Sequence, residues 1–384
     1  MFRAVFLIAF AALLALFLPH AGNAGEKGPY GVKWEFTTGK SMPLATVKDE
    51  KKPYLYVAAK NGGLLVLDIS DRKGAERVAS IGTEKLAGLD VMHLAKQGDY
   101  VYLALGDFFD TKGQPAGIAI IDVSDPLKPS LTAIRVTDSK LHGSPSILVS
   151  GRFAYLAAME YGVFIFDIDE KDKITPVSHI RPYPDFPREK PNRVQQPNAR
   201  GMALEGSKLY LAYDSGGIRV FDLFDKQFPK EIGLYVNPAL LQKQQAYNNI
   251  VIDGKYAYAA VDYCGLEIID ISDPRNMKPA GWWNPWHCEK FSALWLNSPG
   301  HTNQIALDKK RKTVYLSGGD SELLSVDVSN PEKPVTAPAY GHLRDSRAVW
   351  GMTLDGKDIY LSYITAFVPF RSTWNGIKAV SVKE

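Results

Sequence analysis

Cysteine is almost missing from this sequence: 384 residues contain two, Cys264 and Cys288. No CxxC pair exists, so the close ligand spacing of a thiolate metal site is missing too. An excess of either charge is also absent. The formal net charge is +3, and setting aside residues 1–24, whose one charged side chain is Arg3, leaves +2. Such a balance gives no electrostatic case for nucleic acid or for an anionic membrane surface. There is no P-loop, HExxH, GxSxG or CxxCH motif. The acidic stretch "DIDEKDK", Asp167–Lys173, lacks the glycine and closing glutamate of an EF-hand loop. Past residue 24, no apolar run is long enough to span a bilayer.

The first 24 residues stand apart. Arg3 precedes an apolar run from Ala4 to Leu18, and "PHAGNA" follows with small residues at Gly22 and Ala24. This is the n-region, h-region and cleavage pattern of a secretory signal peptide. The run of 15 residues is short for a membrane span, which needs about 20. The expected mature chain is therefore residues 25–384, periplasmic or secreted. In an exported chain, two cysteines point to one Cys264–Cys288 disulfide. The alternative is a metal site built from both thiolates with His287 and His301.

What the chain has in plenty is repetition. "GLLVLDISD", "GIAIIDVSDP", "GVFIFDIDE", "GIRVFDLFD", "GLEIIDISDP" and "ELLSVDVSNP" end around Asp68, Asp122, Asp167, Asp222, Asp270 and Asp327. Upstream of each lies a phrase such as "YLYVAA" or "YVYLAL". These carry Tyr56, Tyr102, Tyr155, Tyr210, Tyr258 and Tyr315, and a seventh copy carries Tyr360. The tyrosines are spaced by 46, 53, 55, 48, 57 and 45 residues. Seven copies of one residue cannot all serve one active site, so the tyrosines and aspartates read as structural.

A unit of about 50 residues is in the range of a propeller blade. The phrases are β-branched and aromatic, and apolar at consecutive positions. Strands buried on both faces look like that, as a blade between two neighbours is. The fifth unit parses into four strands: "NNIVID", "YAYAAV", "GLEIIDI" and "AGWW", joined by "GK", "DYC" and "SDPRNMKP". Asp-Gly and Ser-Gly suit hairpins, and Ser-Asp-Pro suits a turn. The seventh unit ends after "GIKAVSVKE" without a fourth strand, while "YGVKWEFTTG" stands unclaimed at the other end. The expectation is an all-β, seven-bladed propeller of four-stranded blades over residues 25–384, closed by a strand at Val32–Thr38.

These phrases resemble the LVIVD repeat of secreted and cell-surface bacterial and archaeal propellers. The likeness is plainest in units one, two and five. Units three and four lack Ser-Asp-Pro, unit six has Glu322 for the usual glycine, and unit seven has no aspartate. The resemblance implies a propeller and export. It implies no activity.

Propeller topology puts the A–B and C–D turns on one face and the B–C and D–A loops on the other. The first set is short. The second is long: Gly106–Ala116, Tyr183–Asn198, Asn237–Gln245, Asn284–Gly300 and Ile364–Asn375. Function usually rides on variable loops held by a rigid scaffold. The starts of the A strands, at the mouth of the central channel on the loop face, are rich in polar residues: His93, His142, Arg200, Asn248, Asn249, His301, Asn303, Gln304 and Arg347. The loop "NPWHCEKFSALWLNSPG" adds Trp286, His287, Phe291 and Trp295. The expected role is a binding module that holds a periplasmic or extracellular protein, or a small ligand, on the loop face. No cofactor is expected on that reading. The alternative is a metal-dependent periplasmic oxidase or lyase, with a transition metal held by His93, His142 and His301.

Overall fold

The computed structural model describes residues 28–71, 73–109, 113–138, 142–189, 196–241, 243, 245–290, 298, 300–341, 345–366 and 372–383. The proposed signal peptide lies outside them.

The described residues form seven antiparallel four-stranded sheets. Blade 5 has strands A to D at Tyr247–Asp253, Tyr256–Val261, Gly265–Asp270 and Lys278–Trp283. Blades 1 to 6 follow this sequential order. Blade 7 instead takes its outer strand from the start of the chain. Tyr30–Thr37 pairs with Gly376–Val382 along its length, next to Asp358–Tyr363 and Val349–Asp355. The two chain ends thus hydrogen-bond to each other and leave no seam between them.

Seven apolar seams, one between each pair of neighbouring blades, make up most of the core. Each repeated tyrosine belongs to one of them. Tyr210 packs with Ile250, Ala257 and Ile269 of blade 5, Tyr56 with Leu94, Val101 and Ile121 of blade 2, and Tyr258 with Val314, Leu316 and Val326 of blade 6. None of the seven tyrosines is more than 4% exposed. They are the pegs that join neighbouring blades, and Val, Ile and Leu of the B and C strands fill the space around them.

The repeated aspartates hold the C–D turns. Oδ1 of Asp68, Asp122, Asp167, Asp222, Asp270 and Asp327 accepts the backbone N–H two residues on, at Ser70, Ser124, Asp169, Phe224, Ser272 and Ser329. In each case a short carboxylate replaces a missing backbone partner. Gly265, at the start of strand C, has φ +79°, and a Cβ there would lie 2.2 Å from the Trp283 carbonyl oxygen. This explains the glycine that heads most of the C-strand phrases.

One backbone bond recurs in all seven blades. The residue after strand C, or in blade 7 its last residue, donates to a carbonyl in the A–B turn: Ile69 to Pro53, Val123 to Asp99, Ile168 to Arg152, Leu223 to Ser207, Ile271 to Lys255, Val328 to Lys312 and Val382 to Lys357. The A–B and C–D turns therefore share one face of the ring. The B–C loops on the other face reach across to the next blade, through bridges Lys60–Val91, Met159–Ala199, Asp214–Tyr247 and Gly319–Val349.

Candidate functional site

The A strands form the innermost ring, and interblade hydrogen bonds stitch their starts together. Asn249 Nδ2 donates to Gln304 Oε1, Asn248 Nδ2 to the Thr302 carbonyl at 2.9 Å, and Asn303 Nδ2 to the Trp350 carbonyl at 3.0 Å. Ser146 Oγ donates to the Arg200 carbonyl, and Thr353 Oγ1 to that of Thr46. Much of the polar richness at the channel mouth is thus scaffolding. Asn249 and Gln304 do come together, through this one bond, and Asn249 Oδ1 accepts from the Ile250 N–H at 2.8 Å.

His93 sits in strand A of blade 2, Val91–Gln97, with its Nδ1 buried and unpartnered. Burial lowers its pKa to about 4, so the imidazole is neutral at physiological pH. His142 lies at φ +77° with Nε2 4.0 Å from Glu160 Oε1. His301 is buried, with Nδ1 2.6 Å from Asp262 Oδ1. Each of the three has a different setting, and among the described residues no group of three His, Cys, Asp or Glu side chains could hold a metal ion. The alternative reading, a metal shared by these three histidines, finds no geometric support among the described residues.

Arg347 turns toward the outside of blade 7. Its guanidinium lies 3.9 Å from the Trp374 ring centroid and 3.7 Å from Glu35 of the outermost strand. Trp286 packs edge-on against Trp283 and lies over Gly300, where a Cβ would meet its ring at 2.1 Å. It serves as a small cap on blade 5. His287 is exposed beside Glu289, 3.6 Å away. Phe291 and Trp295 lie outside the described residues.

Cys264 and Cys288 form a disulfide with Cα atoms 5.3 Å apart. It ties the 3₁₀ turn Asp262–Cys264 to the turn Cys288–Lys290, and so fastens blade 5's B–C loop to the loop that leads to His301. A thiolate metal site is thereby excluded in this state. The sequence separation of 24 residues corresponds to about 3 kcal/mol in the chain-entropy account. Replacing both cysteines by serine should lower the urea-unfolding free energy by about that much. Equal midpoints for variant and wild type would show that the disulfide braces nothing.

Arg200 packs against the long loop of blade 2. Its guanidinium stacks 5.3 Å from the Phe108 ring centroid, and Nη1 is 3.8 Å from Met159 Sδ. Burial raises the Asp214 pKa, while the charge of Arg200 pulls it down. Phe108 belongs to the Gly106–Ala116 loop of blade 2 but contacts Arg200 of blade 4. It also lies 6.3 Å from Trp350 of blade 7. Phe109 lies 4.4 Å from Phe108 and 4.9 Å from Trp350. The blade 2 loop thus lays two aromatic rings over the mouth. Buried Leu44, Met92 and Ile364 form an eighth apolar cluster there, with Phe108 and Trp350 packed against it. At the base of the loop, Lys60 holds Asp90 at 3.1 Å and Asp107 at 2.8 Å, and Gln114 Oε1 accepts from both aspartates' backbone N–H groups.

Sequence reasoning missed Phe108, Phe109 and Trp350. The signal was present as "GDFFD" in the longest-ranging loop of blade 2, where a Phe-Phe pair serves no strand.

The LVIVD-repeat family model matches residues 51–73, 89–137, 144–175, 246–282 and 300–340. This chain carries LVIVD repeats and folds as a seven-bladed β-propeller. The matched stretches fall within units one, two, three, five and six. Unit four, with "DLFDKQF", and unit seven, without its aspartate, fall outside them. No curated protein matches the sequence. Among solved structures, the RRP9 WD40 repeats superpose with a TM-score of 0.66 at 11% identity, over 92% of this chain and all of that one. U3-55K gives 0.64 at 12% identity, over 90% and 97%. The WD40 propeller domain of Doa1 gives 0.58 at 10% identity, over 93% and 98%. At such identities the likeness shows the fold alone.

Proposed function

We propose that this LVIVD propeller is an exported binding module that takes a protein partner or small ligand on its loop face, centred on the channel mouth. What carries the reading is the group Phe108, Phe109, Trp350 and Arg200. Phe109 is 42% exposed, a large apolar side chain at a position that no strand or seam requires. Aromatic and arginine side chains grouped at one centre are the usual energetic core of a recognition surface. The opposite face makes its connections with short turns, so the long loops serve something beyond blade construction. The signal-like N-terminus and the disulfide support a site of action outside the cytosol.

The test is capture of partners from the native envelope fraction by wild-type protein and by a Phe109→Ser, Arg200→Ala, Trp350→Ala variant. The variant is expected to keep the circular-dichroism spectrum and lose the captured species. A folded variant that recovers the same species as wild type would move the site elsewhere.

A further inference from the structure

The charge of Arg200 is left unmatched by the fold. Four other arginines are each met by a carboxylate: Arg152 by Asp167, Arg219 by Glu231 at 2.8 Å, Arg311 by Asp308 and Arg347 by Glu35 at 3.7 Å. Arg200 is half-buried, lies over the Phe108 ring with the Met159 sulfur beside Nη1, and forms no ion pair among the described residues. A guanidinium brings five N–H donors, and a ring and a weakly accepting sulfur satisfy few of them. Asp214 is near enough for the charge of Arg200 to lower its pKa, yet its Oδ2 accepts from Asn198 Nδ2 at 3.0 Å instead. Burial is the larger effect on Asp214 and disfavours its negative charge, which makes it a weak competitor for the guanidinium.

The backbone holds the group in place. Arg200 N–H donates to the Ala212 carbonyl at 3.0 Å, and the Arg200 carbonyl accepts from Ser146 Oγ. Phe109 N–H donates to Asp107 Oδ1 at 2.8 Å, and Asp107 is in turn held by Lys60. A cation and a set of rings are thus ordered before anything binds, which lowers the cost of binding. The apolar part is small. Phe109 is exposed, Phe108 and Trp350 are half-buried, and the Leu44, Met92 and Ile364 that pack with them are buried. A stable protein interface covers about 800 Å² on each partner, far more than one exposed ring and two half-buried ones present. One flat group beside Arg200 suits their extent.

We infer that this group takes a small molecule that carries a carboxylate on an aromatic body, its ring against Phe109 and Trp350 and its carboxylate on Arg200. The inference rests on the loop face being the binding face and adds the chemical class of the ligand. A carboxylate matches the guanidinium fork with both oxygens. An inorganic anion would leave the rings unused. An aromatic cation, which the rings alone would accept, is repelled by Arg200. The reach is short: Arg200 lies 5.3 Å from the Phe108 ring centroid, and Phe108 lies 4.4 Å from Phe109.

The experiment is isothermal titration of the purified protein with phenylacetate, phenethylamine and acetate. The first two share a ring and differ in charge, and acetate has the charge without the ring. Phenylacetate is expected to bind about tenfold tighter than either, the worth of one charge-assisted hydrogen bond or one ring contact. Arg200→Gln is expected to weaken phenylacetate about tenfold and to remove its advantage over phenethylamine, with the circular-dichroism spectrum unchanged. Phe109→Ser, at an exposed position, is expected to weaken phenylacetate and leave acetate as it was. Wild type that does not bind phenylacetate, or binds phenethylamine or acetate equally well, would overturn the inference. So would a folded Arg200→Gln protein that binds phenylacetate as wild type does. If phenylacetate does not bind while the triple variant loses its captured species, the ligand class falls and the loop-face reading stands.

Discussion

Deleting residues 25–38 should lower the stability of the protein by several kcal/mol and broaden or abolish its cooperative unfolding. The outer strand of blade 7, Tyr30–Thr37, pairs residue by residue with Gly376–Val382. Its Trp34 is 5% exposed and lies 5.9 Å from Tyr360, in the seam where blade 7 meets Leu55, Val57 and Leu65 of blade 1. Tyr30 adds an edge contact to Tyr340 at 6.0 Å, and Glu35 lies 3.3 Å from the Lys378 ammonium. Removal therefore exposes a sheet edge, strips one side of a seam and leaves Lys378 without one of its carboxylates. Trp34→Ala alone should cost about 3–5 kcal/mol, the usual range for emptying a buried tryptophan site. Urea unfolding followed by tryptophan emission and circular dichroism would measure both. A truncated chain with the wild-type midpoint would mean that the ring does not depend on this closure.

Stability should also fall as pH rises from about 4.5 to about 7, through one side chain, Glu267. It lies in blade 5's C strand, fully buried, and accepts from Tyr235 Oη and Tyr247 Oη, each at 2.6 Å. Burial raises its pKa from 4.5 to about 7, against the opposing effect of these hydrogen bonds and of Asn237. Over that window the folded protein holds a proton that the unfolded chain has released, so raising the pH favours unfolding. Below it the penalty is absent; above it the penalty is complete and amounts to roughly 3 kcal/mol. Glu267→Gln keeps the shape and cannot ionise. Wild-type stability minus variant stability should decline across the window and be flat on either side. A difference that stays level from pH 4 to pH 8 would show that Glu267 ionises in the folded state as readily as in the unfolded one. The aspartates of the C–D turns do not obscure the test. Asp122, Asp167, Asp270 and Asp327 are held below the ordinary carboxylate range by hydrogen bonds to side chains or backbone N–H groups, so they act at lower pH.

Sequence alone determined the number of blades, their strand order and the manner of closure, because each rests on local chemistry repeated seven times. A buried tyrosine marks every unit wherever it falls in the chain, and in the first six an aspartate that accepts the N–H two residues on marks the turn after strand C. The missing strand of the last unit and the spare strand of the first were countable. The sorting of loops onto two faces followed from the same topology. The disulfide was legible because two cysteines leave one pairing.

Which side chains meet above the channel was decided only by tertiary structure. Residues there come from blades separated by many turns of sequence, so no local pattern records their contacts. Asn249 and Gln304 looked like free recognition groups and are each other's partners. Arg347 looked like a channel residue and stacks on Trp374 at the rim. Phe108, which no sequence pattern singled out, reaches from blade 2 to Arg200 of blade 4.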